Sequence, residues 1–215
     1  MPKTDEPIDR ERNPEERILE AAKWVFVQKG MDGAVMQDIA DAAQINRTAL
    51  HYYFRSKRRL FEAVLHDLVD RFLPKVSDIM EQQIPFQEKL EQFVHEYLEL
   101  LKANPYLPNF IMNELNKDPG KTTHRLAEEG LLSRRTRAHI ERELKAFDPL
   151  IPVPHFVMNL VSLCVFPFIA RPLITEVFAG GEPAVFDRLM EERKEIIVEM
   201  LLRSIGHANV DQGSG

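Results

Sequence analysis

The period of the apolar residues, together with the residues that interrupt it, constrains the fold of this chain more than any other feature. Apolar side chains recur every three or four residues along most of the chain, a spacing that places them on one face of an α helix. No segment shows the alternation at every second residue that a half-buried strand needs. With 215 residues, 44% of them hydrophobic, the chain is long enough to bury a core. The pattern therefore predicts an all-α fold.

Helix-start and helix-stop residues divide the first third of the chain into four predicted helices. Asn13 is a suitable N-cap for the first helix, and Gly30 is a suitable end for it. A short second helix follows, and Asn46 can cap a short third one. The fourth helix begins near Ser56, and Pro74 is expected to kink or end it.

The helical period continues beyond these four helices, with breaks at Pro105 and at Gly180. A long charged helix is predicted over 121–147, and a last helix over 183–205. The segment 155–178 is apolar on all sides, so we expect one helix there that is buried all round.

One short stretch differs in charge from the rest. Residues 44–61, QINRTALHYYFRSKRRLF, contain five Lys or Arg and no Asp or Glu, whereas the whole chain has a formal net charge of -6. A basic segment on an acidic body suits a local contact with a polyanion such as nucleic acid. Charge alone leaves an ordinary solvated surface equally open.

The two faces of this stretch differ when residues 46–55 are placed on a helix. Leu50 and Phe54 lie on one face, where they can pack against the preceding helix. The other face is cationic, polar and aromatic. Two short helices joined by a tight turn at 44–45 form a helix-turn-helix layout, in which the second helix enters the major groove of DNA. The outward face is predicted to carry Arg47, Thr48, His51, Tyr52 and Arg55.

Each predicted DNA contact uses a group of suitable chemistry. Arg47 can donate to guanine O6 and N7, and Thr48 can contact a base edge or a phosphate. Ala49 can meet a thymine methyl group, while His51 and Tyr52 can hydrogen-bond phosphates. The positive dipole end of the fourth helix favours one more phosphate. The DNA-binding residues are therefore predicted as Arg47, Thr48, Ala49, His51, Tyr52, Arg55, Ser56 and Lys57.

The block MQDIADAAQINRTALHYYFRSKRRLF carries two motifs in order, Asp-Ile-Ala and Tyr-Phe-x-Ser-Lys. On these motifs, residues 18–61 closely resemble the N-terminal domain of TetR/AcrR-type transcriptional regulators. The resemblance implies a three-helix DNA-binding domain, predicted over 13–57. It also implies a larger helical domain, predicted over 58–206, which holds a ligand pocket and dimerises through its last two helices. The flanks 1–12 and 207–215 are predicted to be a disordered arm and a mobile tail.

Three residues depart from the family's pattern inside this block. Gln44 stands where the family has a turn glycine, so we expect a non-glycine residue in a left-handed conformation. Val35 stands where a hydroxyl residue usually caps the second helix, so that either the cap is lost or Asp38, a carboxylate in the first turn, compensates in part. His51 replaces a tyrosine, and a histidine that faces phosphate predicts a DNA affinity that depends on pH near neutrality.

The second domain is predicted from the family resemblance and from side-chain chemistry. Aromatic and methionine side chains suit an apolar ligand cavity, although each can equally fill a core. The pocket residues are predicted as Phe93, Tyr97, Phe110, Met112, Asn113, Met158, Cys164 and Phe168. The dimer interface is predicted to contain Phe186, Leu189, Met190, Ile197 and Met200, with completion of the protomer's own core as the alternative.

Other kinds of site have weak support. Glu62, His66 and Asp70 share a helix face, as do His139 and Glu143, but such sets are common on solvated helices, so we expect no metal. The sequence contains no phosphate loop, nucleophile elbow or HExxH motif. We therefore predict no cofactor, no catalytic residues and no enzymatic activity.

The compartment is predicted from three features. The uncharged run 156–170 is too short to span a bilayer, and residues 1–30 lack the apolar run of a signal peptide. The single cysteine, Cys164, is compatible with a reducing compartment. We expect a cytoplasmic protein without a membrane partner.

These expectations combine into one prediction, a homodimeric, sequence-specific DNA-binding transcriptional regulator. On the family's habit, it is predicted to be a repressor that a small-molecule effector releases from a palindromic operator. Two alternatives stay open at this point. One is a DNA-binding regulator controlled by a protein partner or by no effector, and the other is a helical binding protein or enzyme that has lost DNA binding.

Overall fold

Every regular element in the described part of the protein is an α helix, which confirms the predicted fold class. The computed structural model describes residues 13–117, 120, 134–147 and 150–206. In chain order the helices are α1 (Pro14–Gly33), α2 (Met36–Ala42), α3 (Arg47–Tyr53), α4 (Lys57–Glu81), α5 (Phe86–Ala103), α6 (Leu107–Lys117), α7 (Arg134–Phe147), α8 (Val153–Ile169), α9 (Arg171–Ala179) and α10 (Pro183–Gly206).

Three predictions fall wholly or partly outside the described residues. The disordered arm at 1–12 and the mobile tail at 207–215 lie outside them. Of the long charged helix predicted over 121–147, only the second half is described, as α7.

The chain forms two compact units that divide between Asp70 and Arg71, within α4. The predicted boundary at 57/58 corresponds to the start of this helix. Pro74 lies inside α4 and the helix continues past it to Glu81, so the expected end at Pro74 is not found. Pro74 is exposed, where water can take the place of the backbone donor that proline lacks.

The first helix begins and breaks where the capping residues predict. The Asn13 Oδ1 atom accepts the Glu15 N–H at 3.2 Å, and Pro14 lies in the first turn. The backbone leaves helical geometry at Gly30, whose φ of 68° lies in the left-handed region that favours glycine. One further turn then follows to Gly33.

The core of the first unit is formed by α1, α2, α3 and the first half of α4. The rings of Phe26 on α1 and Phe61 on α4 have centroids 5.0 Å apart. Each large apolar side chain that is fully buried stabilises the fold by roughly 1.5–3 kcal/mol. The fully buried side chains include Ile18, Ala22, Val25, Phe26, Ile39, Ala40, Leu50, Leu60, Phe61 and Val64.

The second unit is built around α5 and α10. Helix α10 packs against α5, α8 and α9, while α8 also packs against α5 and α6. The apolar stripe of α5 faces this core. Its buried members are Leu90, Phe93, Val94, Leu98 and Leu101.

The segment 155–178 forms two helices, α8 and α9, instead of the single buried helix predicted from its composition. The two axes are bent by 78° at a break at Ala170. Pro172 lies in the first turn of α9, where its missing N–H ends the hydrogen-bond ladder of α8. The expected burial all round is also wrong, because Phe166 is 56% exposed and Phe178 is 67% exposed.

Among the described residues, no single helix has both the length and the apolar character required to cross a membrane. The pair α8 and α9 meets those requirements only when the two bent helices are counted together.

A network of charged side chains joins α5 to α10. Lys102 and Lys194 each donate to both Glu99 and Glu191. The hydrogen bond from Lys102, followed by that from Lys194, lowers the pKa of Glu191 to about 2. Both lysine side chains are largely shielded from solvent, whereas the Glu191 carboxylate is about half exposed.

The depressed pKa of Glu191 predicts a loss of stability in acid. An unfolded glutamate titrates near 4.5, so the unfolded state binds the proton first as the pH falls. The contribution of Glu191 is therefore complete above about pH 4.5 and disappears toward about pH 2. We expect Glu191→Gln to lower the free energy of unfolding by less than about 1 kcal/mol at pH 7, because half-exposed ion pairs are screened.

Urea unfolding followed by circular dichroism at several pH values measures this difference. The gap between wild type and Glu191→Gln is expected to close between pH 4.5 and 2. Glu195→Gln, an exposed change on the same helix, is the matched control. A gap that is constant with pH would contradict the assignment.

Candidate nucleic-acid interface

The third helix is short, and its first turn depends on a side-chain cap. The Asn46 Oδ1 atom accepts the Ala49 N–H at 2.7 Å, as the sequence predicts. This bond satisfies one of the backbone donors that the start of a helix leaves unpaired. Helix α3 therefore begins at Arg47, which places that arginine in the first turn.

The turn between α2 and α3 contains a strained residue. Gln44 has a φ of 56°. Among the described residues, no other non-glycine residue has a positive φ. The expected left-handed conformation is confirmed. An L-residue in this region costs roughly 1–2 kcal/mol. The Ile45 N–H donates to the Ala40 carbonyl at 3.0 Å and holds the turn closed.

The two faces of α3 differ in exposure as the helical period predicts. Leu50 is fully buried and Phe54, which follows the last turn, is 7% exposed. Tyr52, in contrast, is 83% exposed, and Tyr53 is 40% exposed. The two tyrosine rings meet edge to face, with centroids 5.5 Å apart. One side of α3 thus belongs to the core, and the other presents polar and aromatic groups to solvent.

Most of the residues predicted to contact DNA lie on this outward side. Arg47 and Arg55 form no ion pair with any residue that the structure describes. Ala49 is partly buried, which leaves part of its methyl group accessible. The exposed members of the predicted set are Arg47, Thr48, His51, Tyr52, Arg55 and Ser56.

The start of α4 is capped by a hydroxyl group. The Ser56 Oγ atom accepts the Arg59 N–H at 3.2 Å. Lys57, the first residue of the helix, is directed elsewhere. Its Nζ atom donates to the carbonyl oxygens of Met31 and Ala34, each at 2.8 Å. The side chain predicted to contact a phosphate therefore binds the backbone that follows Gly30.

Of the two alternatives for the start of α2, the structure shows that Asp38 compensates for the missing hydroxyl cap. Its Oδ2 atom accepts the Val35 N–H at 3.3 Å, whereas the Val35 side chain caps nothing. The Oδ1 atom pairs with the Lys29 Nζ atom at 2.8 Å. The Lys29 ammonium, followed by the Val35 N–H, lowers the pKa of the Asp38 carboxyl. The carboxylate thus stays charged at the positive end of α2.

Two cations that hold this unit together were not predicted from the sequence. Arg17 donates from Nη2 to the carbonyl oxygen of Ala43 at 2.8 Å. Lys23 pairs with Asp67 at 2.6 Å and so joins α1 to α4. Each lies among buried apolar residues of α1. A cation at such a position is expected to bind a partner inside the unit, and the sequence offers no other indication of these two contacts.

The residues predicted for a ligand pocket separate into two groups in the second unit. Burial, with a smaller contribution from Cys164, raises the pKa of the Tyr97 phenol. Burial also raises the pKa of the Cys164 thiol to about 12. The buried group is Phe93, Phe110, Cys164 and Phe168, with Tyr97 packed against it, and the exposed group is Met112, Asn113 and Met158.

Three residues predicted for a dimer interface lie in the protomer's own core instead. Phe186 and Ile197 are fully buried, and Met190 is 3% exposed. A side chain buried in its own protomer has no surface to offer a partner, which corrects the prediction for these three. Leu189 is partly buried, and Met200 is 51% exposed.

The acidic and histidine residues considered as metal ligands contact other protein groups instead. The His66 Nδ1 atom lies 2.7 Å from the Asp70 Oδ2 atom, and Glu143 pairs with Lys89 at 2.8 Å. Within the described ranges, no group of three or more His, Cys, Asp or Glu side chains is arranged to hold a metal ion.

Known proteins share both the sequence and the fold of this chain. Residues 18–64 match the sequence profile of the bacterial regulatory proteins of the tetR family. The probable HTH-type transcriptional regulator YttP of Bacillus subtilis is 28% identical over 191 residues, which cover 83% of this chain and 89% of YttP. The HTH-type transcriptional repressor KstR2 of Mycolicibacterium smegmatis is 26% identical over 144 residues, which cover 60% of this chain and 70% of KstR2.

Solved structures agree with these matches. The structure of a putative TetR-family transcriptional regulator from Mesorhizobium loti superposes with a TM-score of 0.60 at 20% identity, covering 91% of this chain and 98% of that one. At this identity the superposition shows the shared fold. The matched profile places residues 18–64 in the tetR family, and the relatives that match most of the chain show that it is a DNA-binding regulator of transcription.

Proposed function

We propose that this regulator reads a palindromic operator through the outward face of α3, as a homodimer, and represses transcription until an apolar small molecule binds its second unit. The observation that carries the DNA-reading part is the division of α3 into a buried and an exposed face. Tyr52 is 83% exposed, whereas Leu50 two residues earlier is fully buried. Arg47 in the first turn is suited to a base edge, and the residues after it are suited to phosphates.

The repressor part of the proposal is supported by kinship and by the architecture of α4. KstR2, a relative over most of its length, is named a repressor. Helix α4 begins in the first unit and ends in the second. A change at its second half therefore has a continuous helix through which to act on the DNA-binding unit.

The homodimer part is supported by exposed apolar side chains on α8 and α10. Helix α8 contains no Asp, Glu, Lys or Arg in its 17 residues, yet Met158 and Phe166 are each more than half exposed. A groove of about 490 Å³ lies between the two helices, bordered by Phe166 and Met200, and its one charged lining residue, Arg193, donates to the Leu163 carbonyl. An apolar patch of this kind on an acidic chain suits a second copy related by a two-fold axis.

The effector part is supported by the aromatic interior of the second unit. The rings of Phe72, Phe93 and Tyr97 lie together, with centroids between 5.6 and 6.3 Å apart. Cys164 and Phe168 extend this apolar region. Side chains of this kind suit contact with an apolar effector oriented by one or two polar groups.

We further infer that the protein acts without enzymatic activity and in the bacterial cytoplasm. Its relatives are transcriptional regulators, and the matched profile describes bacterial regulatory proteins. A regulator of transcription works in the compartment that holds the DNA.

The base-reading role of Arg47 predicts a specific loss. Arg47→Ala is expected to weaken operator binding by about 1–3 kcal/mol and to relax base preference at one position of each half-site. Duplexes recovered by in vitro selection, with single-base variants, measure both effects. Arg188→Ala, an exposed arginine of α10, is the matched control. Unchanged base preference in Arg47→Ala would refute the assignment.

The proposed dimer surface predicts that a charge introduced there by substitution weakens dimerisation. Met200→Glu is expected to weaken dimerisation at least tenfold, because a two-fold interface brings two such carboxylates into an apolar surface. Sedimentation equilibrium measures the dissociation constant. Met112→Glu is the matched control, since Met112 is 44% exposed and Met200 is 51% exposed. Equal behaviour of the two variants would argue against this surface.

The effector proposal predicts reciprocal linkage between ligand and operator. A compound from a library of apolar small molecules that raises the thermal midpoint of the protein is expected to weaken operator binding. By linkage, bound operator must weaken the binding of the compound by the same factor. At 100 times its dissociation constant, such a compound adds about 2.7 kcal/mol of stability. Ligands that stabilise the protein and leave operator affinity unchanged would favour control by a protein partner.

A further inference from the structure

Two cationic side chains of the first unit point inward, one onto the segment that precedes α2 and the other onto the residue that follows it. Before α2, the Lys57 Nζ atom lies 2.8 Å from the Met31 and Ala34 carbonyl oxygens and 3.3 Å from that of Asp32. A lysine ammonium has three N–H donors, so these three carbonyls use all of them. The carbonyls belong to the segment between the break at Gly30 and the start of α2.

After α2, the Arg17 Nη2 atom lies 2.8 Å from the carbonyl oxygen of Ala43, the residue that follows that helix. Ala43 immediately precedes Gln44 and its left-handed backbone. The Arg17 Nε atom is buried and has no hydrogen-bond partner among the described residues. The partly buried Arg17 side chain thus holds the carbonyl beside the strained turn through its Nη2 atom.

Helix α2 depends on such external bonds. It has only seven residues, and a helix of this length is not stable by itself. Val35 provides no side-chain cap at its start, and Gln44 provides no glycine after its end. Since the turn after α2 leads directly into α3, any movement of α2 moves the helix whose outward face we propose as the DNA reader.

We propose that Lys57 and Arg17 are positioning residues for DNA reading, which hold the backbone on either side of α2 and thereby place α3, and that neither of them neutralises a phosphate. This assignment rests on the proposed role of α3 and differs from a phosphate contact by Lys57. The two roles have different consequences. A phosphate contact contributes to every DNA sequence, whereas placement of α3 contributes only where base edges are read.

The test compares Lys57→Met and Arg17→Met with Arg55→Met, an exposed cation on the outward face. Each variant is titrated with a duplex selected by wild type and with a scrambled duplex of the same composition, over a range of salt. The two positioning variants are expected to lose at least tenfold on the selected duplex and to keep wild-type affinity and salt slope on the scrambled one. Arg55→Met is expected to weaken both, with a slope smaller by about 0.9.

Two results overturn the proposal. In the first, Lys57→Met loses as much affinity and as much salt slope on the scrambled duplex as Arg55→Met does. The other is an unchanged preference for the selected duplex in folded variants, which would leave the two cations a stability role alone. Trp24, the only tryptophan of the chain, lies on α1 and reports whether the first unit is folded.

Two further measurements keep the test decisive if a methionine variant does not fold. In wild type, an amine-reactive ester is expected to modify Lys57 slowly and at the same rate with and without DNA, and fast modification that DNA blocks would overturn the proposal. For Arg17, addition of Gln44→Gly to Arg17→Met is expected to restore folding and most of the lost preference, because glycine relieves the strained turn. No recovery would count against the role of Arg17 at this turn.

The same experiments separate this proposal from the assignment of α3. If Arg47→Ala leaves base preference unchanged, the assignment of α3 fails first. If Arg47→Ala relaxes that preference while Lys57→Met behaves like Arg55→Met, only the positioning role fails.

Discussion

The burial of Leu50 against the core of the first unit is the contact on which the DNA-facing surface depends. Leu50 is fully buried, as are Phe26 and Phe61, whose rings pack together in the core of the same unit. Because α3 has only seven residues, one buried side chain and one capping bond determine its rotation. With Leu50 directed inward, the helical period turns Arg47, His51 and Tyr52 outward.

Around this contact the first unit tolerates two residues that local rules disfavour. Val35 leaves α2 without a hydroxyl cap, and Gln44 adopts a left-handed backbone that suits glycine. In each case a charged side chain is bonded to the weak point. Asp38 accepts the Val35 N–H, and Arg17 binds the carbonyl just before Gln44. In this small unit, each locally unfavourable residue thus lies next to a hydrogen bond made by a charged side chain.

The second unit uses charge and apolar surface on different sides of one helix. On the side that faces α5, Lys194 and Glu191 of α10 form a network with Lys102 and Glu99. Elsewhere on the same helix Ile196 and Met200 are about half exposed. Composition does not separate these two sides, because Met190 and Ile197 are as apolar as Met200 and yet belong to the core. Only the direction in which α10 faces α5 and α8 distinguishes them.

The sequence by itself determined the all-α class, the ends of most helices and the two faces of α3. Those features follow from local rules, namely the helical period of apolar residues and the capping chemistry at Asn13, Gly30 and Asn46. Tertiary structure decided that α8 ends at Ala170, that Phe186 and Ile197 are core residues, and that Lys57 turns to the carbonyls of Met31 and Ala34. These outcomes join residues that are distant along the chain, so no local period encodes them. A lysine has the same composition and the same spacing whether it faces a phosphate or a carbonyl, and only the groups that the fold brings within hydrogen-bonding distance select between the two.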